Sequence, residues 1–222
     1  MNQEQWTAVD RYVTDLLLPP DPVLDAALSA GVAAGLPAIA VSPPQVQLLQ
    51  LLARMQGSRN ILEIGTLGGY STIWLARALP AGGRLITLEI DARHAAVARE
   101  NFFRAGLEGI VELRLGPAAA TLPQLAEEKR GPFDFVFIDA DKAGIPGYFQ
   151  WALRLTRPGS VIVVDNVVRQ GAVVDAASVD PAVQGVRRLN ELLAAESRVS
   201  ATTIQTVGSK GYDGFTLAYV LA

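Results

Sequence analysis

The sequence predicts an α/β protein on a mostly parallel, seven-stranded sheet, with helices on both faces and one antiparallel strand. Three observations lead there. From Asn60 onward, short apolar runs alternate with helical stretches, the pattern of repeated βα units. Carboxylates stand directly behind two of those runs, as Asp139-Ala140-Asp141-Lys142 and as Asp165-Asn166. Two late β runs, 200–207 and 215–221, are joined by the glycine-bounded stretch 208–214 and read as a hairpin.

The elements follow in order. Residues 1–57 read as helices placed ahead of the sheet, where they can cover one end of it or lie over the site. Trp6, Val9, Val13 and Leu16-Leu17 fall on one helical face, and Pro19-Pro20 ends that segment. Asp21-Pro22 opens a second helix, with Asp as cap and Pro in the first turn, and Ser42-Pro43 repeats the signal before a Leu-rich third. Strands are expected at 61–64, 84–88, 110–115, 133–138 and 160–164. Helices are expected at 70–79, 91–105, 121–129, 147–155 and 183–195. Nothing marks an internal repeat or a low-complexity stretch.

Composition bounds the function. The 222 residues are 50% hydrophobic and 18% charged, enough for one well-buried α/β domain and little more. The net charge of −3, the sequence pI near 5.2 and the lack of a basic stripe argue against nucleic acid as the main partner. With no cysteine, neither a disulfide framework nor a thiolate metal site is possible. The first residues lack the basic start and apolar core of a signal peptide, and the apolar stretch 23–41 is broken by Asp25, Gly31, Gly35 and Pro37. A soluble, cytoplasmic protein is expected.

In a parallel sheet, residues just past the C-terminal ends of strands converge on one crevice. Asp139, Asp165, Asn166 and Lys142 are therefore expected to meet. Oxygen donors from Asp and Asn suit a hard cation, Mg²⁺ first, with Mn²⁺ or Ca²⁺ as alternatives. The loop Gly65-Thr66-Leu67-Gly68-Gly69 lies between the first strand and its helix and brings backbone close to a ligand in the same crevice. Its G-x-x-G-G spacing differs from the G-x-G-x-x-G of dinucleotide-binding folds and counts against NAD. Glu89, at the end of the second strand, stands where a carboxylate accepts hydrogen bonds from ribose hydroxyls. Asp91 reads as a helix cap. His94, the only histidine, reads as a surface or packing residue away from the strand ends, and Trp74 and Trp151 as packing residues.

Three segments, Leu62 to Ser71 (LEIGTLGGYS), Phe137 to Lys142 (FIDADK) and Asp165 to Gly171 (DNVVRQG), make the chain resemble a family. It is similar to the cation-dependent, S-adenosylmethionine-dependent O-methyltransferases, which include caffeoyl-CoA and catechol O-methyltransferases and their bacterial relatives. The likeness runs from about Asp10 to the C-terminus. It implies the Rossmann-like class I methyltransferase fold as a single domain over residues 1–222. It also implies that Glu63, Gly65 and Ser71 hold the methionine end of the cofactor, that Glu89 takes the ribose, and that Ala118 lies along the adenine. Val41 would meet the methionine carboxylate through its backbone, and Tyr148 matches a position near the cofactor. Asp139, Asp165 and Asn166 match the metal ligands and Lys142 the base. Asp141 reads either as a partner of the cofactor amine or as a solvated acid. The family is usually dimeric, and the apolar N-terminal helices offer such an interface.

This chain departs from the family's plant members in two places. Arg169 stands where they carry a tryptophan, and residues 143–146 replace a more polar stretch, with Ile145 where Asn is frequent. Both border the acceptor pocket in relatives. Arg169 is expected either to meet an acidic group of the acceptor or to pair with a carboxylate such as Asp175. The leading expectation is methyl transfer to a vicinal dihydroxy-aromatic small molecule. The alternatives are methylation of a hydroxylated uridine in tRNA and a non-catalytic or NAD-binding Rossmann-like protein.

Overall fold

The computed structural model describes residues 2–222. Side-chain alternation along the strands builds two cores. In β1 (Asn60–Ile64), Ile61 packs on one face of the sheet with Phe135 and Phe137 of β4 (Phe133–Ile138). Leu62 and Ile64 pack on the other face with Val136 and Ile138. All five side chains of β1 and all six of β4 are buried, as expected for central parallel strands covered on both sides. The remaining strands are β2 (Arg84–Glu89), β3 (Val111–Leu115), β5 (Thr156–Asp165), β6 (Val199–Gly208) and β7 (Gly211–Val220). The sheet has seven strands in the order β3-β2-β1-β4-β5-β7-β6, and β7 runs antiparallel to both neighbours.

That order reverses direction beside β1. The chain steps outward through β2 and β3, then returns to place β4 against the other side of β1, with Ile64 opposite Ile138. A crevice opens at such a switch point, beyond the carboxyl ends of the strands. Helices α4 (Tyr70–Ala76), α5 (Ala92–Arg104), α6 (Ala118–Glu127), α7 (Ile145–Arg154) and α8 (Pro181–Ala195) fill the connections.

The N-terminal helices divide their work. α1 (Gln3–Leu17) lies on the β6–β7 hairpin: the Gln3 amide donates to the Gly208 carbonyl at 2.9 Å, and the Ser209 N–H donates to Asp10 at 2.7 Å. α2 (Pro22–Ala33) is capped by Asp21, which accepts from the N–H groups of Val23 and Leu24. Asp21 also ties α2 to the end of α4 through Arg77 at 2.5 Å. α3 (Pro43–Gln56) packs against α4 and ends at Gly57 in the left-handed conformation. Its expected cap Ser42 makes no side-chain capping bond. Of the three, α2 and the segment just after it line the crevice, whereas α1 and α3 contribute no wall residue.

Three differences from the sequence expectation bear on the site. β5 begins at Thr156 rather than near 160, because Pro158 and Gly159 hide an irregular start where the register shifts between Phe133 and Phe135. The hairpin turn is only Ser209-Lys210, since Gly208 pairs with Gly211 and residues 211–214 belong to β7. Gly214 allows this: a Cβ there would lie 2.4 Å from the Ile204 carbonyl oxygen. A short 3₁₀ segment, Arg169–Val174, follows the Asp165-Asn166 corner and has no counterpart in the sequence reading.

Candidate active site

The crevice is a cavity of about 800 Å³, within the usual size of small-molecule sites. Its floor is the turn after β1. Gly65 has φ +102°, and a Cβ on it would come within 2.0 Å of the Asp139 carbonyl oxygen. Only glycine lets this loop pass so close to the end of β4. Gly69, also at positive φ, starts α4 and brings Ser71 into the cavity wall.

Glu63 lies one layer beneath that wall and does not line it. By strand alternation it points toward α4. There it accepts from Ser71 Oγ at 2.6 Å, from Thr87 Oγ1 at 2.7 Å and from the Thr72 hydroxyl. Full burial pushes its carboxyl up to about 7 against those three hydroxyls. Glu63 therefore acts on any ligand through Ser71.

Glu89 lines the cavity at the end of β2, pinned by four backbone N–H groups. Thr66 and Leu67 donate to one oxygen, and Ile90 and Asp91 to the other, the last two at 2.9 Å. This locks the glycine loop to the second strand and fixes the carboxylate at the cavity wall. Ala118, the first residue of α6, and Val41, after α2, complete the wall on either side.

Asp139 and Asp165 end neighbouring strands. The Lys142 ammonium reaches Asp139 Oδ1 at 2.7 Å and is only 10% exposed. Asp165 is 4% exposed, beneath the cavity surface. Burial and the neighbouring Asp139 charge push its carboxyl up to about 7, against hydrogen bonds from the Asn166 N–H and from Gln45. Asn166 lines the cavity at φ +56°, a conformation that Asn tolerates better than most residues. Two crowded carboxylates beside an amide fit a hard divalent cation, which relieves their mutual repulsion and takes oxygen donors. Among the described residues no trio of His, Cys, Asp and Glu gathers at one place, and the Asn166 amide is the further oxygen donor beside these two carboxylates.

Asp141 is exposed but carries two hydrogen bonds. It accepts from the Tyr148 hydroxyl at 2.5 Å and from the Gly144 N–H at 2.8 Å. Partial burial and this carboxylate push the Tyr148 hydroxyl above its usual range, so it stays a donor. Behind the loop, a Cβ on Gly185 of α8 would stand 2.1 Å from the Lys142 carbonyl oxygen. That glycine lets the helix press on the segment carrying Lys142.

Ten expected residues thus line one cavity: Val41, Gly65, Ser71, Glu89, Ala118, Asp139, Asp141, Lys142, Tyr148 and Asn166. Glu63 and Asp165 sit directly behind it. Two expectations are corrected. His94 is part of the wall, with Nδ1 3.6 Å from Glu89, because the first turn of α5 folds back beside the end of β2. Arg169 pairs with Asp213 rather than Asp175, and only at 3.8 Å. Thr72, Thr87, Asp213 and Lys210 went unnoticed in the sequence. Thr87 alone had a signal, since it is the register partner of Glu63.

Comparisons with known proteins agree with this architecture. A family model described as O-methyltransferase matches residues 21–220. A catechol O-methyltransferase of Niastella koreensis is 57% identical over 220 residues, covering 99% of this chain and 100% of that one. An O-methyltransferase of Bacillus cereus, solved in complex with SAH, superposes with a TM-score of 0.98 at 61% identity, over 99% and 100% of the two chains. An O-methyltransferase of Streptomyces achromogenes involved in tomaymycin synthesis, solved with SAM, gives a TM-score of 0.97 at 54% identity over the whole of both chains. The fold is that of class I methyltransferases, and the chain belongs to the O-methyltransferase family.

Proposed function

We propose that this O-methyltransferase moves the methyl group of S-adenosylmethionine to one hydroxyl of a catechol-like small molecule, assisted by a divalent cation. An S-adenosylmethionine-dependent O-methyltransferase follows from the family and from close structural neighbours solved with SAM or SAH. The catechol acceptor and the cation are the finer part. One observation carries them: the glycine loop, the Asp139–Lys142 pair and the Asp165-Asn166 corner converge on one cavity.

Asp139, Asp165 and Asn166 would hold the cation, which when bound lowers the pKa of the acceptor hydroxyls and fixes their geometry. The protein's own residues do the rest. Lys142 presents Nζ at the same corner and, as the neutral amine, would accept the hydroxyl proton there to become the ammonium. Ser71, Asp141 and the Gly65 backbone orient the methionine end of the cofactor, and Glu89 takes its ribose hydroxyls. Tyr148 keeps Asp141 aimed by donating to it. Since the methyl donor is already activated, alignment and charge compensation account for most of the rate. The family membership sets aside the NAD-binding alternative, and the acidic surface charge counts against tRNA.

The whole chain is taken as one catalytic unit, acting as a homodimer. Support for the dimer is the set of exposed apolar side chains on α1 and α3, with Tyr12, Leu16, Leu17 and Met55 each more than 60% exposed. Among the described residues no helix is long and apolar enough to cross a membrane. The test is methyl transfer from S-adenosylmethionine to caffeic acid or catechol, with Mg²⁺ and after chelation. Transfer that stops with chelator and returns with Mg²⁺ is the expected result. Transfer indifferent to chelation would remove the cation.

A further inference from the structure

We propose that Arg169 and Lys210 form an anion-binding subsite at the outer end of the cavity, so that the preferred acceptor is a catechol bearing a carboxylate. The inference deepens the proposed function and rests on its acceptor reading.

The cavity's carboxylates are already committed. Asp139 is matched by Lys142, Asp141 by Tyr148 and Gly144, and Glu89 by four backbone N–H groups. Its two outer cations are less fully matched. Arg169 lines the cavity with a buried Nε that has no hydrogen-bond partner. Its single acidic neighbour, Asp213, has Oδ1 occupied by the N–H groups of Val168, Arg169 and Gly214. The other oxygen, Oδ2, stays 3.8 Å from the guanidinium, beyond hydrogen-bond length. Asp213 therefore shapes the Arg169 backbone, held at φ +55°, more than it neutralises the side chain. Lys210 also lines the cavity, has no carboxylate within ion-pair distance among the described residues, and donates only to the Ala38 carbonyl at 3.0 Å.

Topology puts both cations beyond the catalytic corner rather than at the cofactor end. Arg169 follows Asn166 by three residues, a chain reach of at most about 10 Å. On β7, Phe215 lies opposite Asp165, so the hairpin continues roughly 13 Å past the end of β5 to Gly211 and the turn carrying Lys210. An aromatic ring with its hydroxyls at Asp139 and Asn166 and a short acidic arm would point at this pair. A guanidinium with unused donors in a partly closed, apolar-walled site is suited to a carboxylate. The neutral or cationic arm of an amine acceptor would leave those donors unmatched.

The test compares caffeic acid with its methyl ester, in the wild type, in Arg169→Gln, Arg169→Lys and Lys210→Gln, and in the double Gln variant. The ratio of kcat/KM for acid over ester cancels any general loss of activity. The wild type is expected to favour the acid by tenfold or more, mainly through KM. Arg169→Gln should bring the ratio to within about threefold of one, Arg169→Lys should restore part of it, and Lys210→Gln should lower it less. A wild-type ratio near one, or a preference that survives the double variant, overturns the proposal. Calorimetric titration of both compounds into the enzyme loaded with S-adenosylhomocysteine needs no turnover. If neither compound is methylated but the acid binds at least tenfold tighter in an Arg169-dependent way, the subsite stands and the catechol reaction falls. If the acid binds no better than the ester, the subsite falls whatever the reaction proves to be.

Discussion

Strand β4 is bracketed by two aspartates, Asp134 near its start and Asp139 just past its end, and the fold treats them in opposite ways. Asp134 is fully answered. It accepts from the N–H groups of Arg59 and Asn60 at 2.8 and 2.9 Å and pairs with Arg157 at 2.6 Å. Around it Asn60 donates to the carbonyls of Arg130 and Pro132, and Gln56 donates to those of Asp134 and Gly159. Every polar group named at that edge finds a partner of complementary chemistry, and the result is a staple across β1, β4 and β5. At the other edge Asp139 shares its corner with a second carboxylate, and Asn166, Arg169 and Gln170 stand at positive φ. One strand thus separates stability at its N-terminal end from stored electrostatic and backbone strain at its C-terminal end. The difference marks the C-terminal edge as the candidate site: like charges crowded together and corners held at positive φ are what a bound ligand would relieve.

The largest way to break this contrast is at the strained edge. Replacing Asp139 or Asp165 by Ala should lower kcat/KM by on the order of 10³-fold, while thermal stability of the ligand-free protein stays the same or rises in Asp165→Ala, where a repelling pair is removed and no cation is stranded. Differential scanning calorimetry beside steady-state kinetics reads both. A stability loss in proportion to the activity loss would mean that these carboxylates are structural. Lys142→Met comes next, with kcat lower by about 10²-fold and cofactor affinity within a few-fold of wild type. Undiminished turnover would remove the base. At the satisfied edge, Asp134→Ala should do the reverse: it strands two backbone donors and costs about 2–3 kcal/mol of stability, with kcat nearly unchanged in the folded protein. Urea unfolding with a parallel rate measurement would reveal any mixing of the two effects.

Much of this contrast was legible in the sequence, and the pattern of what was not is informative. Strand ends, the glycine loop and the carboxylates at the strand ends come from short-range rules, apolar periodicity and glycine placement, so Gly65, Asp139 and Asp165-Asn166 stood out unaided. His94 was assigned to a surface although its position in the first turn after β2 places it beside that strand's end, so the signal existed in helix geometry. The partner of Arg169 was not readable at all. Asp213 is 44 residues away and arrives through the β5–β7 register, which depends on where an irregular strand begins. Lys210 was hidden for the same reason, because its distance from the cavity is set by the length of a hairpin whose tight turn the glycines at 208, 211 and 214 obscured.

The smallest expected effect tests whether the strained edge reaches below the surface. Glu63 is fully buried among hydroxyls, with its carboxyl raised from 4.5 to about 7 chiefly by burial. A raised carboxyl means that the folded state binds the proton more tightly than the unfolded chain. Its contribution is therefore fully present below pH 4.5 and is lost as pH rises through 7. The size is roughly 3 kcal/mol. Glu63→Gln fixes a neutral group of the same shape, whose carbonyl still accepts from Thr72 or Thr87. Ligand-free wild type and variant should then differ little in Tm at pH 5, and the wild type should fall behind the variant as pH rises to 8. Because other titrating groups, Asp165 included, are shared by both proteins, the difference isolates Glu63. A gap that does not change with pH would show that the three hydroxyls hold the carboxylate charged at no cost. Glu63 would then belong with Asp134, as a satisfied acid, and the strained edge would end at the cavity wall.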